Sequence, residues 1–354
     1  MITFSIVKVL IPVATAFAVG IGITPIITHY LYKYKAWKKQ PHKVALDGST
    51  AEEFSKLREH TETKTPRMGG IIIWLSVCIT TALYYLLALI TDVPLFDKLD
   101  YLSRDQTWIP LMTLLLGSLV GLLNDIRDIA PEGERGLSIF HRLAVVTVVG
   151  AGVAWWFYAK LDVVSVGLPY LSDITLGAYI IPLFVLVMVA LYASGVIDGI
   201  DGLSGGVFAS IFAAYALIAF SQSQLNLAAF SGAMLGATLA FLWFNIPPAR
   251  FWMTETGTMG ITMTIAVLAF MTDALGGGEG ISLLLVIGFL LVITVLSNIL
   301  QVCSKRFRGK KLFRVAPIHH HFEAIGWPSY KVTMRYWVLS VLFAFIGVII
   351  ALTG

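Results

Sequence analysis

Ten apolar stretches recur along this 354-residue chain, at 4–30, 70–91, 108–123, 143–160, 176–196, 204–221, 226–245, 258–275, 280–303 and 336–352. Each approaches the ~20 residues that a helix needs to cross a hydrocarbon core of ~30 Å. No other feature limits the fold so strongly. Lipid offers no partner to an unpaired backbone N–H or C=O, so an unbroken apolar run of this length closes its hydrogen bonds within itself, as a helix. A β-barrel would need short alternating segments, and these runs do not alternate. Composition agrees: 57% of residues are hydrophobic and 13% charged, about half the ~25% charge of a soluble domain. The expectation is an all-α polytopic membrane protein with about ten transmembrane helices, in one domain over residues 1–354, because nothing repeats and no low-complexity tract intervenes. Cys78 and Cys303 both lie in apolar runs, which excludes a disulfide framework and a cysteine-based zinc site. The first run lacks a small-residue cleavage pattern and its basic flank, Lys33 to Lys43, follows it, so it reads as a retained helix rather than a signal peptide.

The charges sort by side. Segments 31–69, 124–142, 246–257 and 304–335 hold nine, three, one and eight Lys and Arg, leaving Lys8, Lys98, Arg104 and Lys160 for the other face. The positive-inside rule then places the loops after the odd-numbered runs in the cytoplasm and both termini outside. The outer loops are plain: an acidic segment from Asp92 to Asp105, a Val/Leu/Pro stretch at 162–175 suited to a small hairpin, and turns at Ser221–Asn226 and Gly276–Gly280. The inner loops hold the unusual polar clusters, so an active site is expected on the cytoplasmic face.

Four such clusters stand out. The first, Gly121-Leu-Leu-Asn124-Asp125-Ile-Arg127-Asp128, ends the third run. Carboxylates beside a span mark an ion or substrate site, or simply a solvated helix end neutralised by Arg127. The second, Asp198-Gly-Ile-Asp201-Gly-Leu-Ser-Gly-Gly, puts two carboxylates three residues apart among glycines. On a helix they share a face, and the glycines permit close backbone approach, an arrangement suited to a hard cation and phosphate oxygens. The third, from Asn245 through Trp252 to Glu255-Thr-Gly-Thr, offers a carboxylate, hydroxyls and N–H groups at a helix start. N-capping by Thr254 or Thr256 explains part of it equally well, and Trp252 also suits a membrane interface. The fourth, Ala316-Pro-Ile-His319-His320-His321-Phe-Glu323, follows the basic stretch Lys305 to Lys311 and Arg314. Basic residues there suit anionic headgroups. Three adjacent histidines suit phosphate contacts better than zinc, because no His/Cys pair elsewhere completes a zinc site.

In this order and on one side of ten helices, the clusters resemble the phospho-N-acetylmuramoyl-pentapeptide transferase family, within the polyprenyl-phosphate N-acetylhexosamine-1-phosphate transferases. The likeness runs from Thr65-Pro-Arg-Met-Gly-Gly through the last run, and its most specific piece is Ala316-Pro-Ile-His-His-His-Phe-Glu with Gly326-Trp-Pro. It implies a Mg²⁺-dependent enzyme of the bacterial cytoplasmic membrane that moves phospho-N-acetylmuramoyl-pentapeptide from UDP-N-acetylmuramoyl-pentapeptide to undecaprenyl phosphate. UMP and lipid I would be the products, in the first membrane step of peptidoglycan synthesis. It also implies membrane lipid as surroundings, a homodimer, and no nucleic-acid partner. Residue by residue, it assigns catalysis to Asp125, Asp198, Glu255 and His320, and the metal to Glu255, Asp125 and Asp198. Substrate contacts fall to Asn124, Arg142, Asp201, Asn245, His319, His321 and Trp252, the last where the family stacks an aromatic ring on uracil.

Other positions depart from the family pattern. Asn124 replaces the first Asp of an Asp-Asp pair, and Asp128 a lysine whose charge Arg127 is placed to supply. Glu255 replaces the Asp of a Gly-Asp-x-Gly-Ser motif, Gly195 an asparagine, and Arg142 a lysine. Three readings follow: a coherent variant site, which the retained chemistry favours; a related UDP-sugar substrate; or lost activity. A phosphate monoester is already largely ionised at neutral pH, with a second pKa of about 6, so direct attack on the β-phosphate needs no base at Asn124. Double displacement through Asp125 is the second route. A multipass transporter stays open as a different class, although it would carry its polar residues near mid-span in broken helices.

Overall fold

A computed structural model describes residues 2–38, 64–103, 106–130, 136–274 and 279–354. Most of the basic segment 31–69, Arg104 and most of the Gly276–Gly280 turn therefore lie outside the described residues. Each expected apolar run is helical. In chain order the helices are α1 (Ile2–Lys33), α2 (Ile71–Ile90), α3 (Pro94–Leu99), α4 (Trp108–Asp128), α5 (Ile139–Lys160), α6 (Ile180–Ser194), α7 (Leu203–Ser221) and α8 (Leu225–Asn245). They continue as α9 (Thr254–Ala274), α10 (Gly280–Ile287), α11 (Phe289–Arg308), α12 (Ile318–Ala324) and α13 (Ser329–Thr353). The stretch at 162–175 does form a hairpin: β1 (Ser165–Val166) pairs antiparallel with β2 (Ile174–Thr175), Ser165 opposite Thr175.

Several boundaries differ from the expectation, among them α4, which runs on to Asp128, and α9, which begins at Thr254; three others have a local reason. Helix α5 begins four residues early because the Ser138 hydroxyl caps it, accepting from His141 N–H at 3.3 Å. The run 280–303 breaks at Gly288, giving short α10 and long α11. Helix α13 begins at Ser329, because the charges of Lys331 and Arg335 are accommodated over the Trp327 ring, 5.6 and 4.1 Å from its centroid.

Nine helices among the described residues are long and apolar enough to cross a membrane. The tenth expected run is α9, which carries six threonines and is buried from Thr256 to Asp273. A helix surrounded by protein need not present apolar atoms to lipid. Its threonine hydroxyls bond to its own carbonyls, as Thr262 does to Thr258 at 2.7 Å and Thr264 to Gly260 at 2.8 Å. Helices α2, α4, α6, α7 and α10 pack around it. The α4 contact is the closest in kind: a Cβ on Gly121 would strike the Glu255 carbonyl, and one on Gly260 the Ser118 hydroxyl. Gly117 and Gly121 thus form the small-xxx-small seam that lets two membrane helices touch backbone to backbone. The outer helices α1, α5, α11 and α13 turn Leu10, Val148, Leu296 and Phe345 outward.

Candidate active site

The glycine seam sets Asp125, one turn beyond Gly121, over the first turn of α9. Asp125 is fully buried. Its Oδ2 accepts from the Thr254 hydroxyl at 2.5 Å, the Thr256 N–H at 2.8 Å and the Thr256 hydroxyl at 2.6 Å. A carboxylate at the positive end of a helix, meeting otherwise unpaired N–H groups, is a strong anchor. Thr254 itself has φ of 54°, a conformation that costs a β-branched residue ~1–3 kcal/mol. The motif that it departs from has glycine there. Thr254 is held in that conformation by three bonds: its hydroxyl to Asp125, its N–H to Asp198 Oδ2 at 2.8 Å, and the Met68 N–H to its hydroxyl at 3.1 Å.

Segment 66–70 lies against the start of α9. Trp252 N–H donates to the Pro66 carbonyl and Gly69 N–H to the Trp252 carbonyl, both at 2.8 Å. A side chain on Gly69 would meet Phe251, and one on Gly70 the Gly257 backbone, so this approach needs both glycines. It delivers Arg67, whose guanidinium lies 3.2 Å from Asp128 and 3.8 Å from Asp125; Lys38 completes the Asp128 pair at 3.0 Å. Arg127, expected to supply the missing lysine charge, is exposed.

The second cluster divides by role. Asp198 accepts from the Ser204 hydroxyl at 2.7 Å as well as from Thr254 N–H, and it lines the cavity described below. Asp201 instead holds the 247–252 loop, accepting from Trp252 Nε1 and Ala249 N–H at 3.0 Å each. Asn245, buried, ties the two together by accepting from Gly202 N–H at 2.9 Å and donating to the Phe251 carbonyl at 2.8 Å. Asn124 is likewise a tie: its Oδ1 accepts from Leu137 N–H at 2.9 Å, and its Nδ2 donates to Asp125 Oδ1 at 3.4 Å.

On the opposite wall, Arg142 from α5 donates to Glu255 Oε1, and the Tyr192 hydroxyl of α6 donates to Glu255 Oε2 at 3.4 Å. His320 Nδ1 pairs with Glu323 at 2.7 Å, and Glu323 also accepts from the Ser329 hydroxyl at 2.6 Å. His319 is buried against Tyr336. A Cβ on Gly199 would lie 2.6 Å from the Nε2 atoms of both His319 and His320, so the Asp198–Asp201 turn touches these two rings only because it is glycine there. His321 packs on Phe313 and accepts from Arg314 N–H at 3.3 Å; none of the three histidines is among the residues that line the cavity described next.

These walls enclose a cavity of about 660 Å³. One end is polar, with Arg67, Arg142, Tyr192, Asp198, Thr254 and Glu255. The other is apolar, with Ile139, Leu143 and Val196 facing Val295, Ile299 and Val302 of α11. Trp252 lies in the lining too. The sequence-based reading missed Arg67, Tyr192 and Thr254. Arg67 and Thr254 sat inside quoted motifs, whereas Tyr192 stood inside an apolar run with no signal.

The donors do not fit the Mg²⁺ that the resemblance implies. Asp125 has three donors on one oxygen, Asp198 has one on each, and Glu255 is engaged by Arg142 and Tyr192. Among the described residues no three His, Cys, Asp or Glu side chains come together to hold a metal ion.

With this geometry in place, similarity to known proteins gains meaning. A family model described as glycosyl transferase family 4 matches residues 107–273, from the start of α4 almost to the end of α9. The phospho-N-acetylmuramoyl-pentapeptide-transferase of Bacillus subtilis (strain 168) is 30% identical over 345 residues, covering 97% of each chain. That of Anoxybacillus flavithermus is 31% identical with the same coverage, and that of a Geobacillus species 32% identical over 86% of this chain and 89% of its own. Identity at this level across nearly the whole length places the chain in the phospho-N-acetylmuramoyl-pentapeptide-transferase family.

Proposed function

We propose that the chain transfers phospho-N-acetylmuramoyl-pentapeptide from its UDP carrier to undecaprenyl phosphate, giving lipid I and UMP. One observation carries this reading beyond kinship: a single cavity joins an arginine-bearing polar end to an apolar wall on α11. A lipid phosphate needs both at once, a cationic place for its head and an apolar surface for its chain. The clusters all fall at helix ends on one side of the bundle, the side richest in Lys and Arg, so we assign that side to the cytoplasm. Ten crossings, with α9 as the eighth, would put both termini outside. A bacterial inner membrane and a homodimer complete the proposal.

In the reaction, an oxygen of the lipid phosphate attacks the β-phosphorus of the UDP-sugar. The bond to the bridging oxygen breaks, and the electron pair leaves on UMP. One phosphoanhydride is exchanged for another, so no outside energy source is required. Arg142 and Arg67 offset the charge that collects on the transferring phosphoryl oxygens. Trp252, oriented by Asp201, offers its ring to uracil, while His319 and His320, the latter oriented by Glu323, lie buried behind Gly199 and support the turn that carries Asp198. Incubating purified protein with UDP-N-acetylmuramoyl-pentapeptide and undecaprenyl phosphate tests the proposal, with UDP-N-acetylglucosamine as competitor. Lipid I is the expected product; product from the competitor alone would move the substrate to another UDP-sugar.

A further inference from the structure

The charged side chains lining the cavity among the described residues are two arginines and two carboxylates, Arg67, Arg142, Asp198 and Glu255. Such a lining is neutral. Sites for divalent cations are ordinarily rich in carboxylate oxygens left free to ligate, and here those oxygens already serve protein donors. Arg142 is bonded to Glu255, the residue at the family's metal position. Arg67 comes from segment 66–70 onto Asp128, which stands where the family has a lysine, and its guanidinium is only 14% exposed. The positive charge at that corner has moved from α4 to the 66–70 segment, and a second one sits on the metal-position carboxylate. Guanidinium groups present paired N–H donors that match phosphate oxygens, and each is fixed in place by an anchored acid.

We infer that this chain binds the diphosphate of its nucleotide substrate with Arg67 and Arg142 in place of a divalent metal ion. The inference takes the ligand's identity from the transfer reading, but its test does not depend on turnover. UDP binding to the purified full-length protein is measured calorimetrically in EDTA and again in Mg²⁺. Affinities agreeing within about threefold are expected. Arg142→Ala and Arg67→Ala each lose about tenfold or more, the range for a charge-assisted hydrogen bond. Arg67→Lys, which preserves the pair with Asp128, covers the case in which Arg67→Ala fails to fold. Glu255→Gln is the sharpest variant. With its carboxylate partner made neutral, Arg142 should bind UDP more tightly in both buffers, whereas a metal ligand at 255 would make the same change weaken binding in Mg²⁺.

UDP binding that appears only with Mg²⁺, an affinity lost in Glu255→Gln, or no UDP binding in either buffer would each overturn the inference. The two readings fail separately: binding in EDTA without lipid I formation sinks the transfer reading alone, and lipid I formation abolished by EDTA sinks the arginine reading alone.

Discussion

Replacing Asp125 by Asn asks whether this carboxylate reacts or holds the site together. Its Oδ2 receives three donors at 2.5, 2.8 and 2.6 Å, all from the first turn of α9. The amide oxygen of Asn can occupy the same position, so the bonds persist but lose their charge. A hydrogen bond to a charged group contributes ~1.5–3 kcal/mol and a neutral one ~0.5–1.5, a difference of about 1 kcal/mol for each of the three. The lost interaction with the helix dipole adds ~0.3–1 kcal/mol. The new amide NH₂ would also face Asn124 Nδ2, and Arg67 would lose one of its two anions. Asp125→Asn should therefore destabilise the protein by about 3–4 kcal/mol, lowering the melting temperature in detergent by roughly 4–5 °C. Tryptophan fluorescence during heating reads this directly. An unchanged melting temperature together with lost activity would refute the anchoring role and return Asp125 to the chemistry.

Thr254→Val keeps the strained φ but removes the hydroxyl between Asp125 and Met68, so a loss of about 2–4 kcal/mol is expected; Thr254→Gly, free of strain there, should cost less in the same melting assay. Asn124→Asp sets a second carboxyl beside Asp125, where the amide now donates at 3.4 Å. Two like charges this close repel, so the variant should melt at a lower temperature than the parent protein at pH 7 in the same assay. Asp201→Asn weakens the hold on Trp252 and should raise KM for the UDP-sugar by about tenfold with little change in KM for the lipid phosphate. Gly121→Ala drives a methyl group into the Glu255 carbonyl and should lower stability by ~1–3 kcal/mol or more while disturbing nucleotide binding at a distance.

The helices were legible because length and apolarity suffice to specify a membrane span, and every run predicted from them is helical. Ends were less legible. Lys331 and Arg335 precede the apolar run at 336–352, and the helix extends back to Ser329 because both cations pack over Trp327, a contact that apolarity alone does not reveal. The buried α9 looked like one more span, and only packing shows it to be the hub. At the site, residue types marked the right clusters but not their division of labour. Asp198 and Asp201 share a motif, yet one lines the cavity and the other steers a tryptophan. Arg67 could not have been paired with Asp128 from sequence, because 61 positions separate them and the pairing depends on two glycines that let segment 66–70 reach α9.

The glycine contact between α4 and α9 also bears on how the membrane acts on the site. Asp125 and Thr254 are carried by two central helices that meet backbone to backbone, with no lipid between them, so bilayer thickness has little purchase on their spacing. Helix α11, the apolar wall, is separated from α10 by a break at Gly288 and exposes Leu296 and Leu300 on its outer side. Mismatch between a span and its bilayer is relieved by tilt, and here the helix free to tilt is the one that would guide the lipid chain. Thinner or thicker bilayers should then alter capture of the polyprenyl substrate and leave recognition of the nucleotide unchanged, so that membrane composition acts as a control on one substrate only.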